Sequence, residues 1–272
     1  MKYQNLDIQV GASPYHAKLI LYLHDESTEM MVQQRPLVLI CPGGAYSMTS
    51  DREADPIALK YLGAGLHAAV LRYSVAPARF PEALLQLAAS VALLRNHATD
   101  WNIDKQKIIV QGFSAGGHLA ASLGVFWDQP FLQQQAGLTA EEIRPNGLLL
   151  SYPVITSGTL GHQGSFENLL GDSYKFAEQR DKVSLEKHVT SNTPPTFLWH
   201  TATDEVVPVD NTLLFFHALR IAGVKAELHI YPEGPHGLAL SSIETAGCNG
   251  EWVRRECESW LQLAINWITY SL

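Results

Sequence analysis

Short, continuously apolar runs recur along the chain. They alternate with longer stretches in which apolar residues return every three or four positions. The runs are Leu37 to Cys41, Ala68 to Tyr73, Lys107 to Val110, Gly147 to Tyr152, Thr196 to His200 and Ala226 to Tyr231. Runs without a polar face suit strands buried on both sides. Ala17 to Leu23 predicts a further, early strand. Helical spacing spans Ile57 to Leu62, stopped by Gly63-Ala64-Gly65, and Glu82 to His97, after the breaks at Pro77 and Pro81. It returns from Asn211 to Ala222, stopped by Gly223, and closes the chain from about Glu251 to Tyr270. Strands alternating with helices predict an α/β fold with a mainly parallel central sheet and helices on both faces.

Residues 156–195 break this rhythm. Some forty residues of mixed polarity are too long for a simple connection, so the segment is read as a lid-like insertion or a peripheral helical excursion. Everything else fits one domain over 1–272. With 272 residues, 46% of them hydrophobic, the chain can bury one large core. The net charge of −8 is spread without a basic block. That argues against nucleic acid and anionic membrane as partners. Neither a signal core nor a stretch of membrane-spanning length is evident. The three cysteines, Cys41, Cys248 and Cys257, lack metal-ligand spacing and suit a reducing cytoplasm.

The candidate chemistry begins at Gly112-Phe113-Ser114-Ala115-Gly116. A Gly-x-Ser-x-Gly between a β-branched run and a helix start has the form of a nucleophile elbow, with Ser114 exposed on a strained turn. A serine hydroxyl needs a base, and the base needs an orienting carboxylate. Asp204 follows the strand ending at His200, where the acid belongs. His236, in Gly234-Pro235-His236-Gly237, follows the strand ending at Tyr231, where the base belongs. Asp210 is read as the N-cap of the next helix, and Glu205 as pointing elsewhere. A developing oxyanion needs N–H donors: Ala115 N–H supplies one and the Gly43-Gly44-Ala45 loop the others. Tyr46 and Phe113 flank loop and nucleophile and are read as closing the acyl side of a substrate site. No zinc motif, phosphate loop or dinucleotide fingerprint occurs, so neither metal nor cofactor is expected.

Taken together, these residues resemble the α/β-hydrolase superfamily. More closely, they are similar to the hormone-sensitive-lipase-like carboxylesterases, including the bacterial acetyl-xylan-esterase and feruloyl-esterase-like branch. The resemblance runs from about Leu37 to Trp267. It rests on Pro42-Gly43-Gly44-Ala45-Tyr46 against a His-Gly-Gly-Gly loop, Asp51-Arg52-Glu53 against an Arg-Glu pair of unassigned role, Arg72 to Pro77 and Phe80 to Ala83. The elbow, Asp204 to Pro208 and His236-Gly237-Leu238 complete it. It implies Gly44 and Ala45 as the loop donors. It also implies acyl transfer to Ser114, with no cofactor, on small esters such as acetylated sugars or xylo-oligosaccharides met inside the cell. A homo-oligomer is compatible with it. Ser74 stands where the family has arginine. No pair of carboxylates is argued to flank a sugar, so glycoside cleavage is not expected. Two other readings stay open: a serine peptidase of the prolyl-oligopeptidase type, and a hydrolase-fold receptor without catalysis.

Overall fold

A computed structural model describes residues 1–272. Eight strands form one sheet: β1 (Lys2–Ile8), β2 (Ala17–Leu23), β3 (Arg35–Cys41), β4 (His67–Arg72), β5 (Ile103–Phe113), β6 (Gly147–Ser151), β7 (Thr196–Thr201) and β8 (Ala226–Tyr231). Their spatial order is β1-β2-β4-β3-β5-β6-β7-β8. β2 pairs antiparallel with both β1 and β4, and all later pairs are parallel. This is the α/β-hydrolase fold.

The alternation of side chains along each strand divides the core in two. Leu37, Leu39, Val110, Leu148 and Leu198 face one way, towards α2 (Glu82–Asn96), α3 (Ala115–Phe126) and α8 (Asp210–Ile221). Val38, Ile40, Ile109, Leu149 and Phe197 face the other, towards α1 (Asp55–Gly63) and α9 (Ser259–Asn266). The central strands are buried on both faces, which is why they read as unbroken apolar runs.

Four features depart from the sequence reading. β1 was not expected. It is an edge strand, exposed along most of its length, so it carries no apolar pattern and is held by its register on β2. Two further helices, α4 (Pro130–Ala136) and α5 (Ala140–Ile143), follow α3. The closing helix starts at Ser259, eight residues later than the spacing suggests. Gly250 and Trp252 take positive φ values of 74° and 71° there, which an α-helix cannot accommodate. Asp210 is not an N-cap: it is already the first residue of α8, Val209 stands at the cap, and no side chain caps it.

Residues 156–195 coil into α6 (Gln163–Leu170), α7 (Ala177–Lys182) and short 3₁₀ turns. Phe166, Leu169, Leu170, Val183 and Leu185 are buried in the main core. The segment is thereby seated on the body of the molecule.

At the end of β5 three backbones converge. A Cβ on Gly112 would lie 2.0 Å from the Gly116 carbonyl oxygen, and one on Gly116 would lie 2.0 Å from that of Cys41. Only a residue without a Cβ lets β5, α3 and β3 meet this closely. Gly116→Ala is expected to cost about 3 kcal/mol through overpacking against rigid backbone, lowering the melting temperature by ~6–12 °C. Gly63→Ala, whose added Cβ meets nothing within 4 Å, is expected to leave it unchanged or slightly raised. Thermal unfolding of the two variants side by side checks this.

Candidate active site

Ser114 sits between β5 and α3 with φ 52° and ψ −119°. That is a costly conformation for a residue with a side chain, of order 1–3 kcal/mol, and it persists only where the surroundings over-determine it. They do so here. Ser114 N–H donates to Ser151 O at 3.0 Å, and Ser114 O accepts from Val154 N–H at 3.0 Å and His118 N–H at 3.2 Å. The turn lifts the hydroxyl to the C-terminal edge of the sheet, where the residue is 9% exposed.

His236 lies on the loop after β8. Its Nε2 is 2.8 Å from Ser114 Oγ, and its Nδ1 is 2.7 Å from Asp204 Oδ2. A carboxylate only accepts, so Nδ1 carries the hydrogen and Nε2 is free to take the serine proton. The loop is anchored by Thr201 Oγ1 donating to Gly234 O at 2.8 Å and Gly234 N–H donating to Thr203 Oγ1 at 3.0 Å. Tyr152 packs edge-on against the imidazole at 5.1 Å between centroids.

Asp204, directly after β7, is buried. Its Oδ1 accepts from the N–H groups of Val206 at 3.0 Å and Val207 at 2.9 Å. Its Oδ2 faces both His236 and the buried His200, whose Nε2 stands 3.2 Å away. His200 Nε2 also lies 3.0 Å from Val207 O, so it bears the hydrogen, while Nδ1 accepts from Thr212 Oγ1 at 2.7 Å. Burial works against the Asp204 charge. Hydrogen bonds from His200 and His236, the His236 charge and the Val207 N–H outweigh it and hold the carboxyl well below the usual range. Glu205 is exposed and outside this constellation.

The 42–46 loop is held by its carbonyls. Pro42 O accepts from Tyr73 Oη at 2.7 Å, Gly43 O from Ser50 N–H at 2.9 Å, and Gly44 O from Ser47 N–H at 2.9 Å. Ala45 O accepts from Asn168 Nδ2 at 2.9 Å, and Tyr46 O from Ala76 N–H at 2.8 Å. Gly43 N–H is committed to Glu53 Oε2 at 2.7 Å. The N–H groups of Gly44 and Ala45 have no acceptor in the protein, and Ala115 opens α3 with its own N–H likewise free. Gly44, Ala45, Ser114 and His236 line one cavity of about 410 Å³, with His162 and Trp252 on its walls.

Tyr46 and Phe113 do not line that cavity. Tyr46 is buried beneath the loop, donating its hydroxyl to His118 Nδ1 at 2.8 Å. Phe113 is fully buried on the opposite side of the sheet, against Tyr152 and Trp260 at 5.8 and 5.9 Å. Successive residues of a strand point to opposite faces, so a Phe113 side chain next to Ser114 is sent away from the hydroxyl.

The BD-FAE family model matches residues 21–219. The chain belongs to the BD-FAE family. Among solved structures, this BD-FAE chain is similar to an acetyl ester-xyloside bifunctional hydrolase from Caldicellulosiruptor lactoaceticus: 35% identity, TM-score 0.80, covering 95% of this chain and 89% of that one. A carboxylesterase from Lactobacillus plantarum, Cest-2923, superposes with TM-score 0.87 at 29% identity, over 100% and 98% of the two chains. By sequence, the chain is 36% identical over 246 residues to a protein of Butyrivibrio fibrisolvens named endo-1,4-beta-xylanase B, covering 88% of this chain and 37% of that one. It is 30% identical over 236 residues to an acetylxylan esterase of Xylanibacter ruminicola, covering 83% and 47%. The chain therefore spans less than half the length of these two relatives. No helix of the BD-FAE chain is long and apolar enough to cross a membrane.

Three side chains to which the sequence assigns no role tie the site together. Glu53, the buried member of Asp51-Arg52-Glu53, accepts from Gly43 N–H and, at 2.7 Å, from Tyr152 Oη, which in turn accepts from Ala239 N–H at 2.9 Å. One carboxylate thus links the glycine loop to the loop of His236. His200 supports Asp204, as described. His162, just before α6, lines the cavity, and its Nδ1 accepts from Ser165 N–H at 3.3 Å. Only the Arg-Glu pair left a trace in the sequence.

His118, on α3, joins the same frame: Nδ1 accepts from Tyr46 and Nε2–H donates to Val183 O at 2.8 Å. Burial pushes its pKa down to about 4. The unfolded chain takes up this proton near pH 6.5 and the folded chain only near 4. The contribution to stability is therefore complete above about pH 6.5 and falls as pH drops, by up to about 3 kcal/mol near pH 4. Denaturant unfolding across this range should show a steeper decline for the wild type than for His118→Gln.

Proposed function

We propose that the chain is a serine carboxylesterase of short-acyl, acetyl-type esters, acting by a Ser114–His236–Asp204 triad. The observation that carries this is the unbroken series Ser114 Oγ, His236 Nε2, His236 Nδ1, Asp204 Oδ2 at 2.8 and 2.7 Å, beside the free N–H groups of Gly44 and Ala45. Ser114 Oγ attacks the ester carbonyl as its proton passes to His236 Nε2. The carbonyl oxygen becomes an oxyanion and is met by Gly44, Ala45 and Ala115 N–H. Asp204 stabilises the imidazolium and keeps its tautomer. His236 then protonates the departing alkoxide, leaving an acyl-Ser114. Water gives its proton to His236, attacks the acyl carbon, and releases the acid as His236 returns the proton to Ser114. A cytoplasmic setting fits the free thiols of Cys41, Cys248 and Cys257.

Acetylated sugars or xylo-oligosaccharides are the proposed substrates. The names of the relatives from Caldicellulosiruptor lactoaceticus and Xylanibacter ruminicola support this, as does a cavity bordered by Ser47, Ser50 and Arg52 as well as apolar groups. Short acyl groups are favoured because the space under the 42–46 loop is filled by the rings of Tyr46, His118 and Phe166, packed edge-on. Tyr46 limits acyl length from within the core.

Ser114→Ala is expected to remove p-nitrophenyl acetate hydrolysis, leaving at most ~10³–10⁴-fold over water, and Asp204→Asn to lower kcat by roughly 10⁴, both without loss of fold. An active Asp204→Asn, or a fluorophosphonate label on a serine other than Ser114, would overturn the assignment. A parallel p-nitroanilide series separates ester from amide cleavage.

Each buried methylene is worth ~0.8 kcal/mol where a pocket receives it. Along p-nitrophenyl esters from acetate to decanoate, kcat/KM is expected to drop sharply beyond about butyrate. A steady rise through octanoate contradicts the short-acyl assignment.

A further inference from the structure

Arg52 stands on the cavity wall beside His236 and forms no ion pair. Its neighbours in sequence are committed elsewhere. Asp51 pairs with Arg72 at 2.8 Å, and both oxygens of Glu53 are taken by Gly43 and Tyr152. The guanidinium is fixed by two contacts alone: Nε donates to Thr245 O at 2.6 Å, and Cζ lies 4.0 Å from the centroid of the Trp252 ring. Nη2 is buried with no acceptor. Nη1 comes within 3.8 Å of where a Cβ on Gly237 would stand, and Trp252 Nε1 within 3.9 Å of the same point. Gly237 has no side chain, so a notch remains there, bordered by two N–H donors and directly following His236.

A partly buried cation without a counter-charge is unfavourable. In a chain of net charge −8, carboxylates were available to neutralise it. The remaining uncompensated charge, with Nη1 at the notch beside Trp252 Nε1–H, matches an anion that can accept from both. The far side of His236 has the opposite character: a neighbouring cavity of about 430 Å³ shares His236 and Val206 but carries Glu205 and Glu233 with Arg254. The anion-accepting side is therefore that of Arg52.

We propose that Arg52 and Trp252 form a subsite for a carboxylate carried on the alcohol part of the ester, as in an acetylated uronic acid. The orientation rests on the esterase reading above: His236 Nε2 hands its proton to the leaving oxygen, so the notch adjoining His236 receives the alcohol. Nη1 and Trp252 Nε1–H donate to the carboxylate, and its charge compensates the whole guanidinium.

Two esters differing only at one carbon test this: acetylated methyl glucuronoside, with a carboxylate, and acetylated methyl glucoside, with a hydroxymethyl group. The wild type is expected to favour the first in kcat/KM by about ten-fold, the worth of one charged hydrogen bond, and less so at high salt. In Arg52→Gln the ratio should approach one, and Arg52→Lys should restore part of it. Equal rates for the two esters in the wild type, or an unchanged ratio in Arg52→Gln, would overturn the subsite. Binding of the unacetylated sugars to the Ser114→Ala chain, read by titration calorimetry, needs no turnover. If neither ester is hydrolysed yet glucuronoside binds more tightly than glucoside, the esterase reading fails and the subsite stands. If both esters are cleaved equally, the esterase reading stands and the subsite fails.

Discussion

The close approach of three backbones at the end of β5 is the constraint on which the molecule depends. Gly112, Gly116 and the carbonyl of Cys41 meet at distances that exclude a single methyl group. That contact sets α3 against β3 and β5. It thereby brings the glycine loop after β3 within reach of the serine after β5. The strained dihedrals of Ser114 follow from it, because no relaxed turn joins β5 to a helix so near. The energy of that strain is offset by the hydrogen bonds of Ser114 to the β6 end and by the large double-sided core.

Around this point the site is held by buried polar groups that complete one another. Glu53 joins the glycine loop, Tyr152 and the loop of His236, while His118 joins Tyr46, α3 and the 156–195 segment. Each member is satisfied by the next, so the frame is rigid. Removing one leaves buried donors or acceptors without partners. The free N–H groups of Gly44 and Ala45 are conspicuous against this background of satisfied neighbours. Every carbonyl of the 42–46 loop is paired, and two of its N–H groups are left open beside the cavity.

Much of this was legible in the sequence. The parallel strands were readable because burial on both faces demands unbroken apolar runs. That Ser114, Asp204 and His236 meet was readable because each follows the end of a strand, and the ends of parallel strands share one edge of the sheet. β1 was not, since an exposed edge strand needs no apolar pattern. The start of the closing helix was misplaced because apolar spacing is blind to the positive φ of Trp252. Tyr46 and Phe113 were set in the cavity by proximity in sequence, although the two-residue period of β5 already directs Phe113 away from Ser114. Glu53 reaches Tyr152, 99 residues away, and a single sequence holds no pattern that joins such a pair; His200 and His162 bond within their own loops and helix starts, where nothing in the apolar spacing marks a polar contact.

The sheet has an uneven edge, and the site straddles it. β8 lies at the border of the sheet and is only half-buried along its length, unlike the fully buried β6 and β7. His236 follows this strand and closes on a serine 122 residues earlier. An edge element with one pairing neighbour opens at lower free energy than the interior, and contacts between distant segments form late in folding. His236 therefore belongs to a border of the sheet that opens more readily than its interior. Warming would separate His236 from Ser114 while the central strands stay folded, and in refolding the return of their contact would mark the docking of β8.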